Sequence, residues 1–182
     1  MTTPRRRSGS PTRPSAVHIR PAEPGDAVVI AGITREAFRT DPRSTHTEEF
    51  IIAGLRAAGA LAVSLVAETN GMVVGHIAFS PVSVSDGSSA WFGLGPVTVA
   101  PAHQQSGTGT ALVTQGLATL GDAGAAGCVV LGEPAFYSRF GFARRRTLRL
   151  PGVPPEYFLA RSFSTRFPVG VVSYHPAFDA TA

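Results

Sequence analysis

The sequence predicts a mixed α/β or α+β domain, on three observations. Strand-like runs alternate with segments of helical periodicity along the chain. An Asn-Gly pair joins two of the strand-like runs. Hydrophobic residues make up 43% of the 182, enough to fill a core without disulfides or metals.

Residues 18–20 form a short first strand. Asp26 stands as the N-cap of a helix over Ala27–Phe38, where Ile30, Ile33, Ala37 and Phe38 recur at helical spacing. Thr47, followed by Glu48 and Glu49, opens a second helix through Phe50, Ile51, Leu55 and Ala58. Residues 61–68 and Met72–Pro81 are two strands. Asn70-Gly71 between them signals a hairpin, because both residues tolerate positive φ. After a soft turn at 85–89, residues 90–99 read as a central strand. A helix over 107–120 puts Leu112, Gly116, Leu117 and Leu120 on one face. The apolar run 128–131 is a buried strand, 135–140 a further helix, and 147–150 and 170–174 are additional strand candidates.

No uninterrupted apolar run approaches the ~20 residues that span a bilayer, which excludes a transmembrane helix. Cys128 is the only cysteine, so neither an intrachain disulfide nor a cysteine zinc site is available, as suits a reducing cytoplasm. The five histidines show no metal-ligand spacing. All 16 basic residues are arginine, and Arg5, Arg6, Arg7 and Arg13 fall in the first 16 positions, which hold no acid. From Val17 onward 12 arginines balance 12 acids, so the net charge of +4 belongs to the tail and argues against a nucleic-acid-binding face. Residues 1–16 are expected to be a disordered tail without the apolar stretch of a secretory signal, and 17–182 a single domain.

The chemistry concentrates in one segment. The β-rich stretch Val97-Thr98-Val99 ends at Ala100-Pro101, and the polar loop Ala102-His103-Gln104-Gln105-Ser106-Gly107-Thr108-Gly109 opens an amphipathic helix. Unpaired N–H groups at a helix start, with the helix dipole, make an anion site, and Gly107 and Gly109 allow close approach of a phosphate. A Walker loop is excluded because Thr110, not lysine, follows Gly109, and a Rossmann fingerprint fails at Leu112. Two glycines that merely shape a strand-to-helix turn remain the alternative at this point.

The six residues from Gln104 to Gly109 also meet the pattern Gln/Arg-x-x-Gly-x-Gly/Ala after a Val-x-Val-x-Pro strand. Together with Gly93-Leu94-Gly95-Pro96-Val97, Leu131-Gly132-Glu133-Pro134-Ala135-Phe136-Tyr137-Ser138-Arg139-Phe140-Gly141-Phe142 and Val172-Ser173-Tyr174-His175-Pro176-Ala177-Phe178, they carry a family resemblance. The chain resembles the GCN5-related N-acetyltransferases (GNAT), and within them the YhbS-like subgroup, over roughly residues 17 to 180. The resemblance implies a mixed, mostly antiparallel sheet of six to seven strands flanked by helices. Its fourth and fifth strands would splay into a V that holds acetyl-CoA as co-substrate. It implies main-chain groups of Val97 and Val99 along the pantetheine arm, and a pyrophosphate cradle made by Gln104, Gln105, Ser106, Gly107, Thr108, Gly109 and Thr110. Gln105 and Ser106 depart from the family, which often carries Gly and Arg or Lys there; a cation is lost and the amides remain.

By the same resemblance Tyr137 is the general acid, and the activity is acetyl transfer to a primary amine of a small-molecule or peptide acceptor by direct attack, in a monomer or homodimer. Glu133, after the apolar strand, is the candidate base; the alternative is a cap on the following helix, which Pro134 at its first position favours. Glu68 is a further choice. The expected strand 90–99 carries no carboxylate, which motivates a rival reading as a non-catalytic acyl-CoA sensor. His76 reads as a packed strand histidine, His103 as a loop histidine beside the phosphate site, and Cys128 as an inert core thiol. Arg144, Arg145 and Arg146 read as a solvated strand edge, with an acidic substrate or the 3′-phosphate of coenzyme A as the functional alternative.

Overall fold

The computed structural model describes residues 16–41 and 44–179. The expected tail, with its four arginines, lies outside them but for Ala16. In chain order the strands are β1 (His18–Pro21), β2 (Val63–Thr69), β3 (Met72–Pro81), β4 (Ser83–Val84), β5 (Trp91–Val99), β6 (Gly127–Leu131), β7 (Leu148–Arg149), β8 (Phe158–Ser162) and β9 (Gly170–Ser173). The helices are α1 (Ala27–Phe38), α2 (Glu48–Ala57), α3 (Thr108–Asp122) and α4 (Pro134–Tyr137). Six strands form the main sheet in the order β1-β2-β3-β5-β6-β8, and β4-β9-β7 form a small second sheet. Every neighbour pair of the main sheet is antiparallel except β5 with β6. None of the described helices is long and apolar enough to cross a membrane.

Asn70 and Gly71 take φ values of 53° and 74°, the left-handed pair that a two-residue hairpin requires between β2 and β3. Strand alternation then divides the core. Leu65 and Ala67 face α3, whose Leu112, Val113, Leu117 and Leu120 pack on Ile77, Phe79 and Leu94. Val66 faces the other way, onto Ile30 of α1 and Ile52 of α2. The small sheet covers Val129, Phe158 and Ala160 on that same second face. Gly116 sits directly over the buried Phe79 ring, and a Cβ there would overlap the ring edge. Gly116→Ala would gain about 1 kcal/mol of helix propensity. Overpacking a ring that cannot yield costs about 1–3 kcal/mol and prevails. Urea denaturation is therefore expected to show a net loss of stability.

A bulge positions the site. Gly95 and Pro96 together stand opposite Ala78 alone, two residues against one. Such an insertion bends its strand. The bend falls where the parallel pairing of β5 with β6 stops, after Leu94 opposite Val130. Beyond it the two strands part; with β4 in the small sheet they are the fourth and fifth main-sheet strands in chain order, the pair that the resemblance implied would splay.

Two expectations need correction. Asp26 does not cap α1: it closes a 3₁₀ turn (Pro24–Asp26) and its carboxylate accepts the Glu23 N–H at 2.7 Å. Two guanidinium bonds from Arg20, at 2.7 and 2.9 Å, hold the same carboxylate. Strand β8 was also missed, because Phe158, Leu159 and Ala160 are buried on both faces and show no alternation.

Buried His76 receives or gives one hydrogen bond, Nε2 with Ser64 Oγ at 2.9 Å, while its Nδ1 has no partner. Burial, then the Arg56 charge, pushes its pKa from 6.5 down to about 3, against the opposing pull of Asp26. The unfolded chain therefore takes up this proton before the native protein does. Stability from this group is complete above pH 6.5 and is lost as pH falls toward 3. His76→Gln is expected to reduce the steepness of stability between about pH 6 and 4, where one such group contributes up to about 1.4 kcal/mol per pH unit. Denaturant titrations at stepped pH measure it.

Candidate active site

The tip of β5 sets the geometry. Ala100 N–H donates to Val74 O of β3 at 2.8 Å. Alternation puts the main-chain groups of Thr98 on that side and those of Val97 and Val99 on the opposite side, where β6 has departed. The Val99 carbonyl on this open side accepts Gln104 Nε2 at 3.1 Å. Thr98 turns its hydroxyl to Thr34 of α1, at 3.2 Å, which ties α1 to the strand.

After the 3₁₀ turn Pro101–His103, the loop reaches α3 through two left-handed residues, Gln105 (φ 58°) and Gly107 (φ 87°). The first bond from α3 back to the loop is Ala111 N–H to Gly107 O, 2.9 Å. The N–H groups of Thr108, Gly109 and Thr110 therefore have no intrahelical acceptor and form the positive end of the helix. Ser106 Oγ donates its one proton to His103 O, so the contact of 2.8 Å with Thr108 Oγ1 is donated by Thr108. Thr108 is also buried, so only its main chain is offered to a ligand.

The two glycines differ in what requires them. Gly107 needs its positive φ, and a Cβ there would meet nothing within 4 Å. Gly109 has no positive φ, and a Cβ there would meet Val99 at 3.6 Å and Phe136 at 3.9 Å, ordinary contacts. Neither backbone conformation nor crowding calls for glycine at 109. It borders the gap between the end of β5 and α4, where a side chain would take the room of a ligand.

Across that gap, β6 passes through Gly132 into α4, and the Tyr137 ring lies so close over Gly132 that a Cβ would overlap it. Tyr137 is further held edge-on against Phe136 (5.0 Å between ring centres) and Phe142 (5.9 Å). Its hydroxyl makes no hydrogen bond within the described residues, and burial pushes its pKa up to about 12. The phenol is thus a donor throughout the neutral range. Glu133 occupies the N-cap position of α4 and is exposed, but its side chain makes no capping bond. Its main-chain carbonyl instead accepts the N–H groups of Phe136 (3.0 Å) and Tyr137 (3.1 Å), which corrects the side-chain cap alternative. Glu68 is held by Arg20 at 2.7 Å on β2, with β3 between it and β5. His103 is half-buried in the loop, and Cys128 is fully buried, its thiol pushed upward by burial.

A cavity of about 330 Å³ between α1 and α2 is lined by Thr34, Arg35, Phe38, His46, Glu48 and Glu49 among others. Glu48 accepts from Ser44 Oγ at 2.6 Å and Glu49 pairs with Arg35. Sequence reasoning missed it: both acids read as first-turn residues of α2, and no spacing links Thr34 to Thr98.

Residues 61–144 match a family model described as acetyltransferase (GNAT) domain. An Escherichia coli K12 protein named uncharacterized N-acetyltransferase YhbS is 36% identical over 168 residues, 88% of this chain and 98% of that protein. This chain belongs to the GNAT acetyltransferase family. Its architecture is that of solved relatives. A GNAT family acetyltransferase from Brucella melitensis, crystallised with acetyl-CoA, is 46% identical, with a TM-score of 0.81 over 91% of this chain and 99% of that one. The E. coli YhbS structure, solved with CoA, is 32% identical, with a TM-score of 0.83 over 97% and 98%.

Proposed function

We propose that this acetyltransferase moves an acetyl group from acetyl-CoA to a primary amine by direct attack in a ternary complex. The observation that carries the reading is the parting of β5 and β6 beside a helix start whose first amides are unpaired. The amides of residues 105–110 would bind the pyrophosphate, the Gln104 N–H being already given to Pro101 O at 3.3 Å, and Val97 and Val99 would pair with the pantetheine arm. Gly109, which the fold itself does not require, supports a ligand at that place.

The amine must lose a proton to attack, and exposed Glu133 at the end of β6 would take it, through water. Carbonyl oxygen gains negative charge, for which main-chain N–H groups on the open side of β5 are preset donors. Thiolate leaves as the amide forms. Tyr137, with its pKa near 12, lies well above a thiol at about 8.5. Its hydroxyl therefore stabilises the departing sulfur by a hydrogen bond, and a proton that originates on the amine finally restores the thiol. Calorimetry with acetyl-CoA, combined with thiol release over an amine panel, tests the reading. Binding with amine-dependent thiol release supports it; binding with no release from any amine would favour the sensor reading.

A further inference from the structure

Arg144, Arg146 and Arg149 line a second cavity, of about 420 Å³, over a floor that includes Leu148, Phe158 and Val171. No acid occurs between Glu133 and Glu156, while Arg144, Arg145, Arg146 and Arg149 fall within six positions. Among the described residues none of these four has a carboxylate within salt-bridge distance. Arg145 stacks on the Phe167 ring, 4.1 Å from its centre, which leaves the other three without a partner. Three unpaired guanidinium groups on one cavity repel each other, a cost that an anion removes.

The cavity lies beside the proposed reaction centre. Its wall residue Phe158 pairs with Leu131, the last residue of β6, and Tyr157 O accepts the Gly132 N–H at 2.9 Å. Gly132 is the residue that the Tyr137 ring covers. Leu148 and Phe158 pack with Val129, on the sheet face opposite α3. The arginines therefore stand across the sheet from the α3 amides that would take the coenzyme diphosphate.

We infer that the arginine cavity binds the acidic group of the acceptor, so that the substrate is an amine that also carries a carboxylate or phosphate. This rests on the transfer reading above and adds to it a substrate class. The planar guanidinium forks suit either acid.

The test uses the native enzyme and the triple variant Arg144→Gln, Arg146→Gln, Arg149→Gln, all exposed positions whose replacement leaves the core untouched. Matched acceptors are β-alanine against propylamine, and O-phosphoethanolamine against ethanolamine. The native enzyme should prefer the acidic member of at least one pair in kcat/KM, and the pair that shows it tells carboxylate from phosphate. In the variant that preference should fall by about tenfold or more, the scale of one lost charge-assisted contact, with acetyl-CoA affinity within about twofold. No preference in the native enzyme overturns the inference. So does a preference unchanged in the variant, or a fall in acetyl-CoA affinity, which would assign the arginines to a coenzyme phosphate. Calorimetric binding of O-phosphoethanolamine and β-alanine to both proteins separates the two readings: an anion site lost in the variant sustains the inference even if no amine is acetylated, and no binding to the native protein overturns it.

Discussion

Gly109→Glu is expected to abolish acetyl-CoA binding while the folded state stays at least as stable. The fold accepts a side chain here, since the nearest atoms to a Cβ are Val99 Cγ2 at 3.6 Å and Phe136 Cζ at 3.9 Å. Replacing a helical glycine gains up to about 1 kcal/mol of propensity. An acid in the first turn of α3 gains a further ~0.3–1 kcal/mol from the helix dipole. The same carboxylate then competes for the amides of residues 108–110 and repels the incoming diphosphate. Two charge-assisted bonds at about 1.5–3 kcal/mol each amount to a loss of at least about 100-fold in affinity. Calorimetry reads the binding and thermal denaturation the stability. Opposite signs for the two are the signature, because a variant that merely damaged the fold would lower both. Gly107→Glu is a blunter probe: its φ of 87° adds backbone strain of about 1–2 kcal/mol.

Tyr137→Phe should lower kcat by about 100-fold or more, the usual scale for one preorganised hydrogen-bond donor to developing negative charge, with acetyl-CoA affinity nearly unchanged. The ring keeps its seat over Gly132 and its contacts with Phe136 and Phe142, so only the hydroxyl is removed. An interaction made only in the transition state lowers kcat and kcat/KM together. Stopped-flow or steady-state thiol release on an accepted amine measures this. Native turnover in the variant would remove the hydroxyl from the mechanism.

Much of the site was legible because it is local. Asn70-Gly71 is both a sequence signal and the whole physical cause of its turn. The helix start at Gly107 follows from a proline-ended strand, two glycines and an apolar repeat that are adjacent in the chain. The parting of β5 from β6 was stated only through family resemblance. Its cause, a bulge at Gly95 and Pro96, depends on register against Ala78, which no single strand reveals. Asp26 looked like a cap since capping is a local rule, but Arg20 and the Glu23 amide compete for the same carboxylate and prevail. Thr108 lay inside the loop motif, yet its side chain turns inward, because the α3 face it occupies is the buried one. The arginine cavity depends on β7, β8 and β9 meeting across the intervening stretches 150–157 and 163–169, and sequence order offers no hint of that meeting.

The most direct measurement is an amide NMR titration with CoA that follows Gly107, Gly109 and their neighbours from Gln105 to Thr110. Large, saturable shifts confined mainly to these amides and to Val97 and Val99 are the predicted result. Saturable binding that leaves those N–H resonances in place, with shifts elsewhere, would contradict a diphosphate seat at the start of α3.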